Sequence, residues 1–287
     1  MSRSLLFIPG NNPSMIQNSD LYGADAVIFD LEDSVLMEHK DAARDLVKTY
    51  LEQLNLLNCQ VIVRINGMET PFLKMDLEAL SYDYVDAFMI PNATHGAIEY
   101  ITNQIKELEQ TRQLKKEIQL IPIIETPYAL LQVKEIVKMD RVIGVLFGAE
   151  DYTTNMSIKR TKQGEEILFA RNMISIAAKA YNKEAYDTPF TDVNDIDGLK
   201  EDVKLAKQLG FSGKAAIHPR QIDMINELFS PSQEDILFAQ RILKQAKKET
   251  KGAFSIDGKM IDTPIITRAQ KIINQAKWYG LLGEPND

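Results

Sequence analysis

"AVIFDLEDSV", residues 26–35, opens with four apolar residues in its first five positions and then sets down Asp30, Glu32 and Asp33. A nearly continuous apolar run of this length reads as a parallel strand covered on both faces. Seven further runs resemble it: "LLFIP" (5–9), "VIVRI" (61–65), "AFMIP" (87–91), "LIPII" (120–124), "VIGVLFG" (142–148), "AYDTPF" (185–190) and "KAAIHP" (214–219). The seventh is weak in pattern and is assigned mainly by position. From Leu5 to Lys214 the chain takes seven steps of about 30 residues each, the size of a strand–helix unit. Between the runs lie helical stretches. "MIQNSDLYG" ends at Gly23; "EYITNQIKELEQTRQL" and "GEEILFARNMISIAAKAYN" carry 3.6-residue apolar stripes, and "DIDGLKEDVKLAKQLG" stops at Gly210. Eight strand–helix repeats, with only one glycine in "PGNNP" after the first strand, favour a closed α/β barrel over a nucleotide-binding open sheet.

Beyond residue 230 the pattern changes. Ser230-Pro231-Ser232-Gln233 reads as a capped helix start followed by "EDILFAQRILKQAKKE". In "AFSIDGKMID", Asp257-Gly258 between short apolar segments signals a hairpin, and Thr263-Pro264 begins a last helix. The expected division is a barrel over 1–229 and a helix–hairpin–helix extension over 230–287, packed on the barrel and on a neighbouring subunit.

The 287 residues are 45% hydrophobic and 26% charged, an ordinary globular composition. No apolar run reaches the ~20 residues of a membrane span, and the N-terminal stretch lacks signal-peptide features. The single cysteine, Cys59, excludes an internal disulfide framework and points to the cytoplasm; beside "VIVRIN" it reads as a packing residue. A net charge of −8, with no basic-aromatic stripe, argues against nucleic acid. His39, His95 and His218 are too scattered for a zinc cluster.

In a (β/α)8 barrel, reactive residues stand at the C-terminal strand ends. Polar residues collect there: Asp30, Glu32 and Asp33 after the second run, Arg64 near the end of the third, Glu125 after the fifth, and Glu150 and Asp151 after the sixth. Asp187 lies in the seventh, and His218 closes the eighth. "LIPIIETP" and "VLFGAEDY" each end an apolar run with an acid, on strands that neighbour each other in a barrel. Such a pair, with no histidine or thiolate nearby, suits Mg2+. Each residue also has a plainer use. Asp33 and Asp151 could cap helices. Glu125 could favour the N-terminus of a helix starting at Thr126-Pro127, and Arg64 could pair with Asp30 or Glu32 for structure alone.

"RSLLFIPGNNPSM", "GADAVIFDLEDSV", "KDAAR", "VRING", "TPF", "GAEDY", "LFAR", "GFSGKAAIHPRQI" and "DGKMID" run in order from residue 3 to 262. Through them the chain resembles the citrate lyase β-subunit (citryl-CoA lyase) group of the HpcH/HpaI aldolase superfamily. The resemblance implies a TIM-barrel, Mg2+-dependent lyase acting on the C–C bond between a 2-oxo acid and an acyl thioester of CoA or an acyl-carrier protein. It makes Glu125 and Asp151 the metal ligands, Glu125 also touching substrate, and Arg64 the residue that binds substrate and stabilises the enolate. Asp30, Glu32 and Asp33 become its acidic support. Asp262 matches an acid delivered from a neighbouring subunit, although its position before Thr263-Pro264 equally suits a helix cap. A homotrimer or hexamer, with other citrate lyase subunits as further partners, is implied. Citryl thioester is the expected substrate; malyl-CoA and citramalyl-CoA are the alternatives. Departures from the family fall at Asn92, where a lysine is usual, at Thr126-Pro127 and at His218-Pro219; they bear on the choice of acyl acid rather than on the metal pair.

Overall fold

Eight parallel strands close on themselves in a computed structural model that describes residues 2–53, 58–248 and 253–282. They are β1 (Ser4–Pro9), β2 (Ala26–Asp30), β3 (Gln60–Arg64), β4 (Ala87–Ile90), β5 (Gln119–Ile124), β6 (Gly144–Phe147), β7 (Glu184–Asp187) and β8 (Gly213–Ala216). β1 pairs with both β2 and β8, which closes the ring. Around it run α1 (Pro13–Gln17), α2 (Lys40–Gln53), α3 (Phe72–Leu80), α4 (His95–Arg112), α5 (Pro127–Val137), α6 (Ala149–Asn155), α7 (Leu168–Ala180) and α8 (Ile196–Gln208), with α9 (Ile222–Phe229) following β8. This is the expected (β/α)8 barrel.

The strand pleat sorts side chains by parity. Leu5, Ala26, Ile28, Ile62, Met89, Ile121, Ile123, Leu146, Tyr186 and Ala215 form one buried cluster inside the ring. Continuing the same parity to the C-terminal ends carries Phe7, Asp30, Arg64, Glu125 and Thr188 to the barrel mouth. The helix starts follow from local chemistry. Thr94, Thr126 and Asp195 each accept a backbone N–H three residues on, capping α4, α5 and α8.

Three local readings change. The single helix expected over 15–23 is two pieces, α1 and a 3-10 turn at Ser19–Tyr22, because Asn18 leaves helical geometry between them. The helix read over 164–182 begins with a 3-10 turn, Glu165–Ile167, ahead of α7. The last three strands end early. β8 gives way after Ala216, where the Ile217 N–H turns to the Gln221 side chain instead of a ladder partner.

The chain divides into two compact units, Met1–Asn226 and Glu227–Asp287. In the second, α10 (Gln233–Ala246) opens with a capping box between Ser232 and Asp235; its sequence reading extends to Glu249, outside the described residues. The hairpin of β9 (Phe254–Ile256) and β10 (Lys259–Ile261) turns through Asp257 and Gly258, both with positive φ. α11 (Thr263–Trp278) then packs on α10 through Ile236, Ala239, Ile242, Ala269, Ile273 and Ala276. No described helix is long and apolar enough to cross a membrane.

Candidate active site

Asp30 and Arg64 are register partners at the ends of β2 and β3. The guanidinium meets the carboxylate fork to fork, Nε to Oδ1 at 2.7 Å and Nη2 to Oδ2 at 2.6 Å. Nη1 reaches Glu32 Oε2 at 2.9 Å and, more loosely, Asp33 Oδ2 at 3.5 Å. The Arg64 guanidinium also lies 5.0 Å from the centre of the Phe7 ring. The ion pair that the plainer reading of Arg64 required is therefore present, and it stands in the wall of a cavity rather than in the core. The loop after β2 wraps the same carboxylate, with the Glu32 N–H on Asp30 Oδ1 and the Ser34 N–H on Oδ2. Lys40, at the start of α2, clamps this loop from beneath by donating to the carbonyls of Leu31 and Glu32 at 2.8 and 2.6 Å.

The cavity holds about 460 Å3 and is lined by Asp30, Asp33, Glu125, Glu150 and Asp151, with Arg64 the one cation among the described lining residues. Glu125 is 4% exposed. Its Oε1 accepts the N–H of Asn92, a residue in left-handed geometry at the end of β4. Gly148 makes room for its other side. A Cβ there would stand 2.6 Å from Glu125 Cβ and 2.8 Å from Oε2. Thr126, not Glu125, caps α5. Asp151 lies in the first turn of α6, whose N-cap is Gly148. Asp33 caps no helix; it sits in the turn that precedes α2.

Charge in this cavity is poorly balanced. Burial pushes Glu125 up to about 8, and the carboxylates of Asp151 and Glu32 add to the shift. Burial likewise lifts Glu32 to about 7, against the pull of Arg64 and with a push from Asp33 and Asp30. Asp151 is raised by burial and by Asp33. Asp30 alone goes the other way: burial would raise it, but the charge and hydrogen bonds of Arg64 hold it below the ordinary carboxylate range. Oxygen donors crowded without a matching cation, and no lining histidine or thiol, fit a hard divalent ion. Among the described residues no three of His, Cys, Asp and Glu converge on one point. That arrangement suits an ion held by two protein carboxylates and otherwise by water and substrate.

Two strand-end residues leave the set. Asp187 has the opposite parity to Tyr186 and faces the helices, where Arg171 and Lys214 bind it at 2.9 and 2.6 Å in a buried cluster completed by Asp202. His218 accepts the Arg220 N–H through Nδ1 and starts a short 3-10 turn. Cys59 is half-buried with its thiol pushed up to about 11 by burial, a poor nucleophile. In the second unit Asp262 caps α11, accepting the Ile265 N–H at 3.4 Å. Thr188 and Gly148 line the cavity, and Lys40 holds the loop beside it, without any of the three being read as a site residue; Lys40 and Gly148 fall inside the motifs "KDAAR" and "GAEDY", Thr188 inside none of that ordered series.

A closed parallel barrel whose mouth gathers an arginine–carboxylate fork, a buried glutamate and a further acid at the start of α6 defines a barrel enzyme suited to a hard cation beside an anionic substrate. The chain belongs to the HpcH/HpaI aldolase/citrate lyase family, which it matches over residues 3–219. It is 37% identical to the citrate lyase subunit beta of Leuconostoc mesenteroides subsp. cremoris, over 96% of this chain and 93% of that one. It is 32% identical to the mitochondrial citramalyl-CoA lyase of Homo sapiens, over 96% and 85%. Among solved structures it resembles the CitE protein of Mycobacterium tuberculosis in complex with magnesium, acetoacetate and coenzyme A, with 28% identity and a TM-score of 0.78 over 96% of this chain and 98% of that one. A citrate lyase beta subunit from the same organism, complexed with oxaloacetate and magnesium, aligns at 29% identity and a TM-score of 0.67, over 79% and 96%.

Proposed function

We propose that the protein is a Mg2+-dependent oxo-acid lyase that cleaves a citryl thioester, of CoA or of a carrier protein, to oxaloacetate and an acetyl thioester. The observation that carries this reading is the acid-lined cavity shared by Glu125 at the end of β5, Asp151 in the first turn of α6 after the neighbouring β6, and the Arg64–Asp30 fork. Similarity to citrate lyase beta subunits over nearly the whole chain supports the choice of reaction.

Glu125 and Asp151 would hold the metal, which supplies Lewis acidity and lowers the pKa of the substrate hydroxyl. The residues do the rest. The hydroxyl proton would pass to the Asp262 carboxylate of a neighbouring subunit, and scission of the adjacent C–C bond releases the oxo acid and leaves the electron pair on the thioester as an enolate. Arg64 carries five N–H groups. Nε and Nη2 each give one to Asp30, and Nη1 serves Glu32 and, more loosely, Asp33, so the second Nη2 hydrogen remains for the enolate oxygen. Asp30, Glu32 and Asp33 hold the guanidinium in that pose, a fixed electrostatic environment for the developing charge. The enolate carbon then takes a proton from Asp262 of a neighbouring subunit, in a homotrimer or hexamer. Among the described residues, capping α11 engages one oxygen of that carboxylate, Oδ1. Further citrate lyase subunits are partners in this reading, and the cytoplasm is its setting.

A citramalyl thioester is the second reading. Arg64 is the one cation in the described lining, and Phe7, Ile123, Leu146 and Ile217 also line the cavity, surfaces that suit a methyl in place of a second carboxymethyl group. A panel of citryl-, citramalyl- and malyl-CoA, assayed for oxo-acid release with and without chelator, tests both. Mg2+-dependent release of oxaloacetate is expected. No turnover of any member, or turnover unaffected by chelation or by Glu125→Gln with Asp151→Asn, would overturn the proposal.

A further inference from the structure

Thr188 follows β7 with the inward parity of Tyr186 and lines the cavity, yet it is 1% exposed. Two of its polar groups are engaged inside the protein. Its carbonyl accepts Lys214 Nζ at 2.6 Å, and Oγ1 accepts the Ala149 N–H at the start of α6 at 3.3 Å. Lys214 is itself fixed, bound to Asp187 at 2.6 Å and paired with Asp202 at 2.6 Å, while Arg171 grips both acids from the other side. Three of these four charged side chains are wholly buried. The backbone of Thr188 is thus tied to a closed charge cluster, and a β-branched side chain has few χ1 choices left.

A threonine hydroxyl has one hydrogen and two lone pairs. Ala149 takes one lone pair. Among the described residues nothing accepts the hydrogen, and a buried donor without an acceptor is costly. We propose that Thr188 is a substrate-binding residue, its hydroxyl donating to an anionic oxygen of the oxo-acid half of the substrate. The oxo-acid half is assigned because the same hydroxyl holds the first residue of α6, whose third residue is Asp151. An oxo acid carried on a cation held by Asp151 would be the half of the substrate bound beside the turn that Thr188 fixes. This inference rests on the lyase reading for the identity of the ligand.

The experiment compares Thr188→Val, which keeps the shape and removes the hydroxyl, with Thr188→Ser, which restores it. Three quantities are measured on the full chain: Mg2+ binding alone, oxaloacetate and pyruvate binding in the presence of Mg2+, and KM and kcat for the thioester panel. The valine variant is expected to weaken oxo-acid binding and raise KM by roughly 10- to 100-fold, the range of a lost hydrogen bond to a charged group, with Mg2+ binding within about twofold. Serine should stay within about threefold of the parent on every measure. Unchanged oxo-acid binding in Thr188→Val overturns the proposal. So does a parallel loss of Mg2+ affinity, which would mean that the hydroxyl only holds α6. If the valine variant does not fold, Thr188→Ala carries the same comparison. Should the parent turn over none of the thioesters, the lyase reading fails while the oxo-acid series still decides Thr188.

Discussion

Replacing Gly148 by alanine adds one methyl at the most crowded point of the site. Its Cβ would lie 2.6 Å from Glu125 Cβ, 2.8 Å from Glu125 Oε2 and 2.9 Å from Ile123 Cγ2. Carbon atoms in contact sit about 3.5–4.0 Å apart, so something must retreat by about 1 Å. The backbone of Gly148 is not the obstacle, since its φ is −95°. Ile123 is in the buried barrel core and has nowhere to go. Glu125 borders the cavity on one side and, among the described residues, is held by the Asn92 N–H alone, so it is the group that moves. Overpacking a close-packed interior costs about 1–3 kcal/mol, and at roughly 2–4 °C per kcal/mol the thermal midpoint should fall by several degrees. The larger effect belongs to the metal. A carboxylate displaced by about 1 Å no longer meets the near-ideal octahedral geometry that Mg2+ demands. The Mg2+ concentration for half-maximal activity should rise at least tenfold, read by titration into chelator-treated protein, with circular dichroism as the control for folding. Wild-type Mg2+ activation in Gly148→Ala would refute the steric argument and, with it, the placing of Glu125 in the metal site.

Arg64→Lys should lose most of the activity while the fold survives, because an ammonium cannot give Asp30 the two parallel N–H bonds now at 2.7 and 2.6 Å; a fully active lysine variant would leave Arg64 a purely structural role. Asp30 sets a pH expectation. Arg64 holds its folded pKa below the ordinary aspartate value of about 3.8, so its contribution to stability is present above that value and is lost as pH falls through the lower, folded one. Chemical denaturation between about pH 4 and pH 2 should therefore show a shallower acid loss in Asp30→Asn than in the parent, and equal slopes would contradict the assignment. Two inactive variants, Arg64→Ala and Asp262→Asn, should regain part of the activity when mixed under subunit exchange, since some sites would then combine an intact Arg64 with a neighbour's intact Asp262. Absence of recovery despite demonstrated exchange would remove Asp262 from the reaction.

Strand position was legible because a parallel strand buried on both faces must be apolar throughout, and eight such runs recur at one interval. The exact facing of a polar residue at its end was not. In "AYDTPF" the sequence offers Asp187 and Thr188 side by side, and the acid is the natural choice for chemistry. The barrel turns Asp187 outward, where Arg171 and Lys214 neutralise it, and turns the neutral Thr188 inward. Those partners come from elsewhere in the chain, so no local pattern could have announced them. Asp30, Arg64 and Glu125 were easier to read because each extends an inward apolar series by one step of two: Ile28 to Asp30, Ile62 to Arg64, Ile123 to Glu125.

The same reasoning accounts for three acids within four residues after β2. Asp30 is fully used: both oxygens take Arg64, and the loop N–H groups of Glu32 and Ser34 add to them. Capping a helix plays no part. Glu32 and Asp33 share the remaining outer nitrogen of one guanidinium, at 2.9 and 3.5 Å. A structural ion pair needs one acid per arginine, and buried excess charge is unfavourable. Lys40 supplies a second positive charge, but it faces the loop carbonyls and leaves the cavity side unmatched. Glu125 and Asp151 then add two more acids to that same side. An excess of acids on the cavity side goes beyond what one structural ion pair requires, and it is the feature on which the proposed cation site rests.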